Sequence, residues 1–491
     1  MEYYTPSDVY KLESKLVSLN ISTWSLMQQA GSSAFNEINK EYENIKSICV
    51  FCGWGNNAGD GYTLAKAAAE AGRAVTIIEL DQDRALSDNT SKARGLLPNN
   101  VSIKAFTDNI ELTNIDLIVD AMLGIGSHGD IIGVAAQAIN LINNSKVKVV
   151  SLDIPSGLDP DTGGLLGVAV TADLTITFLL HKICLVTGDG VAKAGNIKLC
   201  KLYDDVVDDL TGSLKEAARS YNKNQVLNFI PSRYKNSHKG DFGNLLVIAG
   251  DDGYLGALFL VVESLLKLGA GVIRVITTGE HVFQLIAAFP SVIAISHDND
   301  KLVNEYLNVS DSILVGPGLI NNDWVGQLLP KVLSANKKVV LDAGALRLLK
   351  DSKLVVTGAV VTPHPGEAAD LLGITSSAVQ GCRLKSAYNI SENYKCVCVL
   401  KGAGTIIAFG EADNVVCTYG NPGMAVAGMG DVLSAMVLCF ISQFNDDRKA
   451  VVSAVYLHSM AADYYACENG LIGMTPSDVI NVVNQYINKR L

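Results

Sequence analysis

The chain has 491 residues, of which 48% are hydrophobic and 18% are charged, and its formal net charge is −11. Because this length exceeds one ordinary hydrophobic core, two or three globular domains are predicted. The negative charge argues against nucleic acid and anionic membrane surfaces as principal partners. An anionic nucleotide is still allowed, since clusters of backbone N–H groups bind phosphate whatever the overall charge.

The N-terminal region has no targeting features. Residues 1–8 carry no basic cluster with an apolar stretch behind it, and no charge-free apolar run reaches the length of a membrane span. The sequence therefore predicts a cytoplasmic protein. The segment 6–40 predicts two helices, with Ser7 and Ser22 as their N-caps.

Apolar strands and helical patterns then alternate along both halves of the chain. In the first half, we predict strands near 47–52, 74–79, 116–120, 147–152 and 173–178, and helices over 60–71 and 131–143. In the second half, we predict strands near 244–249, 272–276, 312–315, 338–341, 359–362 and 396–400, and helices near 254–268, 366–372 and 430–442. This alternation predicts an α/β fold with parallel sheets, whose ligands bind at the carboxyl ends of the strands. The acidic segment 203–222 lacks a strand pattern and is the predicted boundary between the halves.

The only Cys-x-x-Cys spacing in the sequence lies in the first predicted strand, at Cys49 and Cys52. Residues three apart on a strand face opposite sides of the sheet. We therefore interpret them as core thiols and not as a redox pair or a zinc site.

Three polar groups of the first half follow predicted strands. A glycine-rich stretch, Gly-Trp-Gly-Asn-Asn-Ala-Gly-Asp-Gly, occupies 53–61, and Asp120 and Asp153 each end a strand. Glycines there permit a sharp turn and close approach to a ligand. Asn57, Asp120 and the region of Ser156 are expected to converge at one sheet edge, where oxygen ligands suit a hard cation. The alternative is that Asp120 and Asp153 only cap loops.

On these motifs, residues 10–205 resemble the NAD(P)H-hydrate epimerase domain, which has a Rossmann-like fold. The resemblance implies that Asn57, Asp120 and Ser156 hold potassium and that Asp153 and Lys182 handle the proton. A solvated surface lysine is the alternative for Lys182. Two departures are visible: Ala58 replaces a usual glycine, which indicates right-handed backbone angles, and Gln28-Gln29 stand where the family usually has an acid. The hydrated nicotinamide nucleotide is then expected to contact Asn57, Ala58, Gly59, Asp60, Gly61, Gly124, Ile125, Gly126, Ser127, His128, Gly129, Asp130 and Asp153.

The most informative motif of the second half is Gly-Asn-Pro-Gly-Met-Ala-Val-Ala-Gly-Met-Gly-Asp at 420–431, directly before an apolar helix. Backbone N–H groups and the helix dipole make a phosphate site there. The carboxylate of Asp431 in such a site is best explained as a base for a hydroxyl about to be phosphorylated. A helix N-cap is the alternative. Asp342, His364 between two prolines, and Lys401 each follow another predicted strand, and Lys401 with its neighbouring N–H groups predicts a nucleotide-phosphate site.

Residues 222–491 resemble the ribokinase-type fold, and within it the ADP/ATP-dependent NAD(P)H-hydrate dehydratases. Thr-Pro-His-Pro-Gly-Glu and Gly-Asn-Pro-Gly-Met occur together and in order, although Met429, Ala427 and Gly344 replace residues frequent in the family. The resemblance implies Asp431 as the catalytic base, Mg²⁺ bridging the phosphates, and Gly256, Gly318, His364 and Asp431 at the substrate. Nucleotide binding is then expected at Lys401, Gly402, Ala403, Gly404, Thr405, Asn421, Gly423, Gly428, Met429 and Gly430.

Taken together, the two resemblances imply an N-terminal Rossmann-like three-layer domain, residues 1–210, and a C-terminal ribokinase-like three-layer domain, residues 222–491. They imply repair of hydrated NADH and NADPH with ADP or ATP as phosphoryl donor, ADP being favoured because the fusion resembles bacterial forms. A homo-oligomer is also expected. Two alternatives stay open: a small-molecule kinase of the ribokinase type, and a non-catalytic nucleotide-binding module.

Overall fold

The computed structural model describes residues 1–107, 109–320, 323–352, 354–410 and 413–489. They form two compact units, one of residues 2–218 and one of Met1 with the described residues from 219 onward. The boundary between the units lies within the segment 203–222, which also contains a helix and a two-residue strand that its polar composition did not predict. Within the described ranges, no helix is long and apolar enough to cross a lipid bilayer.

The N-terminal unit is built around a parallel sheet of seven strands in the order β4-β3-β2-β5-β6-β7-β8. The strands of this unit are β1 (Glu2–Tyr3), β2 (Ser47–Cys52), β3 (Ala74–Glu79), β4 (Ser102–Ala105), β5 (Leu117–Ala121), β6 (Lys148–Leu152), β7 (Leu174–Phe178) and β8 (Asn196–Cys200). The helices are α1 (Pro6–Ser18), α2 (Thr23–Glu41), α3 (Asn56–Glu70), α4 (Asp88–Gly95), α5 (Gly133–Asn144), α6 (Gly190–Lys193) and α7 (Asp204–Thr211). All strands predicted for this half are present, and β4 and β8 are added at the two edges.

Helices cover both faces of this sheet, which explains why its central strands are continuous apolar runs. Cys52 packs in the core shared with α2 and α3, whereas Cys49 packs in the core shared with α5. Both thiols are buried, so their interpretation as core residues is confirmed. Helices α2 and α3 approach closely at Gly31, where a Cβ atom would lie 2.6 Å from the carbonyl oxygen of Asp60.

The helix starts in this unit agree only partly with the prediction. Ser22 caps α2, accepting a hydrogen bond from the Ser25 N–H at 3.1 Å. The prediction of Ser7 was wrong: Thr5 is the N-cap of α1, because Pro6 occupies the first helical position, where it needs no N–H partner. Helix α3 begins at Asn56 and not at residue 60, so residues 57–61 lie in its first turns. Ala58 is therefore right-handed, as predicted.

The C-terminal unit contains a second large sheet, in which nine strands follow the order β18-β17-β16-β15-β14-β13-β10-β11-β12. Its strands are β9 (Ala218–Arg219), β10 (Asn244–Ile248), β11 (Val272–Thr277), β12 (Ile293–Ser296), β13 (Ser312–Val315), β14 (Lys338–Leu341), β15 (Val360–Val361), β16 (Val397–Leu400), β17 (Thr405–Ala408) and β18 (Asn414–Cys417). Strands β10 to β16 are parallel, and β17 and β18 extend the sheet in antiparallel fashion. The sequence did not predict β12, β17 or β18.

Helices pack on both faces of this sheet as well. They are α8 (Lys223–Phe229), α9 (Leu255–Lys267), α10 (Gly279–Ala288), α11 (Asp300–Val309), α12 (Asp323–Ser334), α13 (Gly344–Ser352), α14 (Pro365–Leu372), α15 (Ser376–Gly381), α16 (Arg383–Tyr394), α17 (Met429–Gln443), α18 (Asp447–Asn469) and α19 (Pro476–Ile487). Helix α17 is apolar on all sides and buried from Val432 to Ile441. Because this burial fixes its axis, the position of its N-terminus, and so of Asp431, is fixed as well.

Candidate functional sites

The carboxylate of Asp120 is the buried centre of the N-terminal site. It ends β5 and accepts hydrogen bonds from the Ser156 Oγ at 2.5 Å, the Ser156 N–H at 2.9 Å and the Ser151 Oγ at 2.8 Å. Burial raises the pKa of Asp120, against these hydrogen bonds. Asp120 thus ties the loop after β6 to the end of β5, so the loop-capping interpretation describes part of what it does.

Asn57 supplies the observation that a loop cap does not explain. Its side-chain oxygen and nitrogen are both buried, and neither has a hydrogen-bond partner among the described residues. Such orphaned polar atoms are costly unless a ligand satisfies them. Asn57 also lies beside Gly124, where a Cβ atom would sit 3.4 Å from the Asn57 side chain and 3.3 Å from the Asp153 Oδ2. The oxygen donors of Asn57, Asp120 and Ser156 fit a hard cation such as potassium.

Asp153 and Lys182 form a buried ion pair. The Lys182 Nζ lies 2.7 Å from the Asp153 Oδ1, and the two side chains are 0% and 12% exposed. The ammonium also donates to the Thr177 hydroxyl at 2.9 Å and to the Phe178 carbonyl at 2.8 Å. The alternative of a solvated surface lysine is therefore wrong. Asp153 has a left-handed backbone, with φ of 66°, which turns its carboxylate back toward the loop after β5.

Asn57, Asp153 and Lys182 line one cavity of about 640 Å³, whereas Asp120 and Ser156 lie behind its wall and are fully buried. The walls include Asn57, Asp60 and Asp153, the loop from Gly124 to His128, and Asp130. Burial, with the nearby carboxylates of Asp153 and Glu13, raises the pKa of Asp60. The remaining residues predicted at the substrate, Ala58, Gly59, Gly61 and Gly129, do not line the cavity; the first three pack inside α3 and Gly129 shapes the loop with φ of 77°.

Sequence reasoning missed several residues of this cavity. Glu13 of α1 adds a further carboxylate, whose pKa is raised by burial and by Asp153. Arg84 stacks on Trp54, with its guanidinium carbon 3.9 Å from the ring centroid, and both residues line the wall. Glu13 lies outside every motif, so only the packing of α1 against the sheet could reveal it. Gln28 and Gln29 are exposed and are not among the lining residues.

In the C-terminal unit, charged residues from three strand ends meet the start of α17. The Lys401 Nζ lies 2.8 Å from the Asp342 Oδ1 and 3.8 Å from the Glu367 Oε2. At Gly430, a Cβ atom would lie 3.3 Å from the same Nζ and 3.9 Å from the Asp342 Oδ2. Burial opposes the charge of Lys401, but these carboxylates outweigh it and raise its pKa. Lys401 is thus engaged by carboxylates, where the sequence predicted a phosphate contact.

Asp431 faces this cluster from the third position of α17. The N-cap of the helix is Gly428, with a left-handed φ of 92°, so the N-cap interpretation of Asp431 is wrong. Burial, followed by repulsion from Asp342, raises the pKa of Asp431 to about 6, and Lys401 opposes the shift only in part. A carboxylate with this pKa is mostly ionised at neutral pH and is still an effective proton acceptor.

The imidazole of His364 has a structural task that the sequence did not predict. His364 is the N-cap of α14, and its Nδ1 accepts hydrogen bonds from the Gly366 N–H at 2.9 Å and the Glu367 N–H at 3.2 Å. Pro365 opens the helix, as prolines often do. The ring is 57% exposed, and its Nε2 lies 3.5 Å from the Glu367 Oε1. His364 therefore borders the cluster and keeps one ring nitrogen available.

The predicted nucleotide-binding loops have defined supports. Gly402 and Gly404 adopt φ of 132° and 64° in the turn between β16 and β17, where Ala403 is exposed and Thr405 begins β17. The Asn421 Oδ1 accepts from the Gly423 N–H at 3.0 Å. Asp463 of α18, which sequence reasoning missed, accepts from the Gly420 N–H and the Asn421 Nδ2, each at 2.8 Å. Both loops are thus fixed by their own turn geometry and by residues distant in sequence.

Gly318, Gly344 and Gly428 are sites of close packing. At Gly318, with φ of 63°, a Cβ atom would lie 3.0 Å from Tyr254, beside exposed Gly256 in the first turn of α9. At Gly428, it would lie 2.4 Å from a methyl group of Leu260, and the adjacent Met429 is buried. At Gly344, it would lie 2.2 Å from the carbonyl oxygen of Leu319, which explains why this chain carries no acid there.

Comparisons with known proteins agree with this division. Residues 245–485 match the family described as NAD(P)H-hydrate dehydratase, and residues 23–184 match the family described as YjeF-related protein N-terminus. Among solved structures, a ribokinase-like superfamily protein from Enterococcus faecalis is 27% identical, with a TM-score of 0.52, over 56% of this chain and 97% of that one. The ADP/ATP-dependent NAD(P)H-hydrate dehydratase from Bacillus subtilis, co-crystallised with ATP and Mg²⁺, is 28% identical, with a TM-score of 0.51, over 55% of this chain and 98% of that one.

The fold and the two sites define a two-domain α/β enzyme whose C-terminal domain is of the ribokinase-like class. Full-length relatives extend the agreement to both domains. The bifunctional NAD(P)H-hydrate repair enzyme of Coxiella burnetii is 35% identical over 99% of both chains. That of Escherichia coli is 34% identical over 96% of this chain and 90% of the relative. The chain belongs to the family of bifunctional NAD(P)H-hydrate repair enzymes, and the family predicted from the motifs is confirmed.

Proposed function

We propose that the chain restores NADH and NADPH from their hydrates in two coupled steps. Water adds to either face of the nicotinamide ring and gives R and S epimers. The N-terminal domain interconverts them, and the C-terminal domain dehydrates the S epimer with ADP or ATP as phosphoryl donor. A stereospecific dehydratase alone would leave one epimer unrepaired, so the two sites serve one task.

The single observation that carries the dehydration step is the placement of Asp431. It combines a pKa of about 6 with a position at the start of a buried helix, beside a lysine already paired to Asp342. Hydroxide is a poor leaving group. Asp431 would take the proton from the hydroxyl as its oxygen attacks the terminal phosphorus of the nucleotide, which releases AMP when ADP is the donor.

The backbone at the start of α17 would then stabilise the transferred group. The N–H groups of Gly428, Met429 and Gly430 lie at the positive end of the helix dipole and suit its developing negative charge. Phosphate leaves as the ring nitrogen donates its lone pair, and loss of a proton from the neighbouring carbon regenerates the dihydronicotinamide. Two bonds of the hydrate are broken in this step. The carbon–oxygen bond breaks as phosphate leaves with the oxygen, and the carbon–hydrogen bond of the neighbouring carbon breaks as a proton is lost.

Two metal ions accompany this proposal. Mg²⁺ would neutralise the phosphate charge; the described residues contain no cluster of three or more metal-ligating side chains, so we expect the phosphates and water to supply most of its ligands. Potassium would bind Asn57, Asp120 and Ser156, which the orphaned Asn57 amide supports. It would supply a fixed positive charge near the anionic substrate.

For epimerisation we propose Asp153 and Lys182 as the groups that handle the proton. The fully buried ammonium holds the carboxylate in place at 2.7 Å, and Asp153 lines the cavity. Asp153, oriented by this ion pair, would accept a proton from the hydrated ring or its hydroxyl. The cavity of about 640 Å³ has the size of a small-molecule site.

One assay tests the whole proposal. The full chain is mixed with an R and S mixture of hydrated NADH, Mg²⁺, K⁺ and either ADP or ATP, and the return of NADH absorbance is followed. Complete return with release of phosphate supports both activities. Return of only the S fraction would remove the epimerase from the proposal, and accumulation of a phosphorylated product would favour a small-molecule kinase instead. Replacing K⁺ by Na⁺ should slow the recovery of the R fraction only.

A further inference from the structure

Arg383 stands out as a buried cation that no motif of the sequence explains. It opens α16 and is 1% exposed, which places it among the largest fully buried side chains. No acidic side chain pairs with it in the part of the chain that the structure describes. Burial lowers the pKa of the guanidinium to about 10, so it carries a full positive charge at neutral pH.

The guanidinium is directed at the turn between β16 and β17. Its Nη2 donates to the carbonyl oxygens of Leu400 at 3.2 Å, Lys401 at 3.2 Å and Gly404 at 3.4 Å. Its Nη1 donates to the Gln380 Oε1 at 2.6 Å, while the buried Nε has no partner among the described residues. The Arg383 side chain thus binds three carbonyl groups of the turn, which all face the guanidinium.

This arrangement fixes where the N–H groups of the turn point. In a trans peptide, the N–H is directed opposite to the preceding C=O. Because the Lys401 carbonyl faces Arg383, the Gly402 N–H faces away from it, toward the exposed side of the turn. Gly402 also has φ of 132°, and a Cβ atom there would lie 3.0 Å from the Arg383 Nη1. Only glycine lets the turn settle this closely on the guanidinium.

A buried charge without a counter-ion is costly unless something supplies the opposite charge. Among the described residues, the guanidinium beneath the turn faces carbonyl dipoles and no carboxylate. An anion bound on the exposed side of the turn would face the Gly402 N–H and be attracted by the guanidinium. The turn is the one whose sequence, Lys-Gly-Ala-Gly-Thr at 401–405, predicts a nucleotide-phosphate site.

We propose that Arg383 is a positioning residue of the nucleotide site: it fixes the Lys401–Gly404 turn through three carbonyl groups and supplies the charge that a nucleotide phosphate neutralises. The proposal rests on the nucleotide-dependent function proposed above. It assigns Arg383 no contact with the nucleotide. Its loss should therefore weaken binding of ADP and ATP more than it changes the chemical step.

The test uses the full chain and the variants R383M, R383K and G402A. We expect R383M to raise the dissociation constant of ADP, measured by calorimetry with Mg²⁺, and the KM for ADP by about tenfold, as for lost hydrogen bonds from a charged donor. The kcat at saturating ADP should change much less. R383K keeps the charge but not the planar fork, and G402A moves the turn without removing the cation, so both should weaken ADP binding by smaller factors.

Arg233 offers a matched control. Its Nη2 donates to the Leu268 and Gly269 carbonyls at 3.1 and 2.8 Å in a turn away from the site, so R233M should lower thermal stability and leave ADP binding unchanged. If R383M does not fold, R383K and G402A decide the matter. Folded R383 and G402 variants that bind ADP as the unaltered chain does would overturn the proposal. A chain that binds ADP but never restores NADH would instead refute the proposed function.

Discussion

The two domains each place a lysine beside an aspartate near the carboxyl ends of parallel strands, yet the two pairs leave different groups for chemistry. In the N-terminal domain, Lys182 is fully buried and pairs with Asp153, the carboxylate that itself lines the cavity. In the C-terminal domain, Lys401 pairs with Asp342, and Asp431 is left with a pKa raised to about 6. The N-terminal ion pair thus contains the carboxylate that lines the cavity, whereas the C-terminal pair leaves Asp431 outside it, where burial first and repulsion from Asp342 second raise the pKa of Asp431.

This difference follows from the elements that carry the acids. Asp153 follows β6 in a left-handed conformation that directs it at the lysine. Asp431 lies on a helix whose direction is fixed by burial. Its neighbour Lys401 is already hydrogen-bonded to Asp342, so Asp431 has no cation of its own among the described residues. Strand order and helix placement therefore decide which charged residues pair, and the residue types alone do not predict these pairs.

The largest expected effect comes from Asp431→Asn. We expect nucleotide-dependent recovery of NADH from the S hydrate to fall by roughly 10²–10⁴-fold, the usual contribution of a general base. Binding of ADP, measured by calorimetry, and the epimerisation rate should stay unchanged, because the fold and the N-terminal cavity are intact. Near-normal turnover in this variant would exclude Asp431 as the base and remove the contrast between the two domains.

Asp153→Asn tests the other side of the comparison. Asparagine tolerates the left-handed backbone at this position, and Lys182 keeps its hydrogen bonds to Thr177 and Phe178, so the variant should fold with lowered thermal stability. Epimerisation, followed by chromatography of the two hydrates, should fall by about 10²-fold. Dehydration of the S hydrate should be unaffected. Asp208→Asn, which breaks the exposed pair with Lys201, is the control and should change neither rate. An unchanged epimerisation rate in Asp153→Asn would contradict the assignment.

A smaller effect is expected from Asp463→Asn. The new amide cannot accept from both the Gly420 N–H and the Asn421 Nδ2, so the 420–423 loop should lose its fixed geometry. We expect the KM for the nucleotide to rise by about tenfold, with a smaller change in kcat. Asp446→Asn, at the N-cap of the same helix α18, is the matched control and should affect stability alone. Equal nucleotide KM values in both variants would show that the loop needs no support from Asp463.

The smallest effect concerns the pH dependence of dehydration. Since the base must be deprotonated, kcat/KM should fall as the pH drops through about 6, the pKa of Asp431. Asp342→Asn removes a repelling carboxylate and frees Lys401 to face Asp431, so both changes lower this pKa. The acid limb of the profile should move to lower pH by about one unit. A limb that stays in place, or moves to higher pH, would mean that Asp342 does not set the basicity of Asp431.

Much of the fold followed from local patterns. Central strands such as β2 and β10 are continuous apolar runs bounded by glycine turns, and these predicted their positions closely. Strands β4, β12, β17 and β18 were missed; each has only four residues, and so short a run gives a weak strand pattern. The start of α3 was placed four residues late, because its glycines and asparagines are typical of a loop and only tertiary packing made them helical.

The residues of the candidate sites divide in the same way, into those that local motifs predicted and those that only the folded structure revealed. The motifs identified Asp120, Asp153, Asp342 and Asp431, because glycine turns at strand ends have few structural reasons to carry acids. They did not identify Glu13, Arg383 or Asp463, which lie in ordinary helical sequence. Those residues act from elements distant in sequence, so nothing in their neighbourhood signals the contact.

The sequence by itself determined the family, through the resemblance of its motifs, and it determined the α/β class of both domains and the acids at their strand ends through local composition and spacing. Only the tertiary structure decided that Lys401 pairs with Asp342, that His364 caps α14 and that Arg383 lies beneath the turn between β16 and β17. The physical reason is that charge and hydrogen-bond partners are chosen by distance in space. Burial then sets the strength of each ion pair and the pKa of each buried acid, and burial is a property of the folded chain.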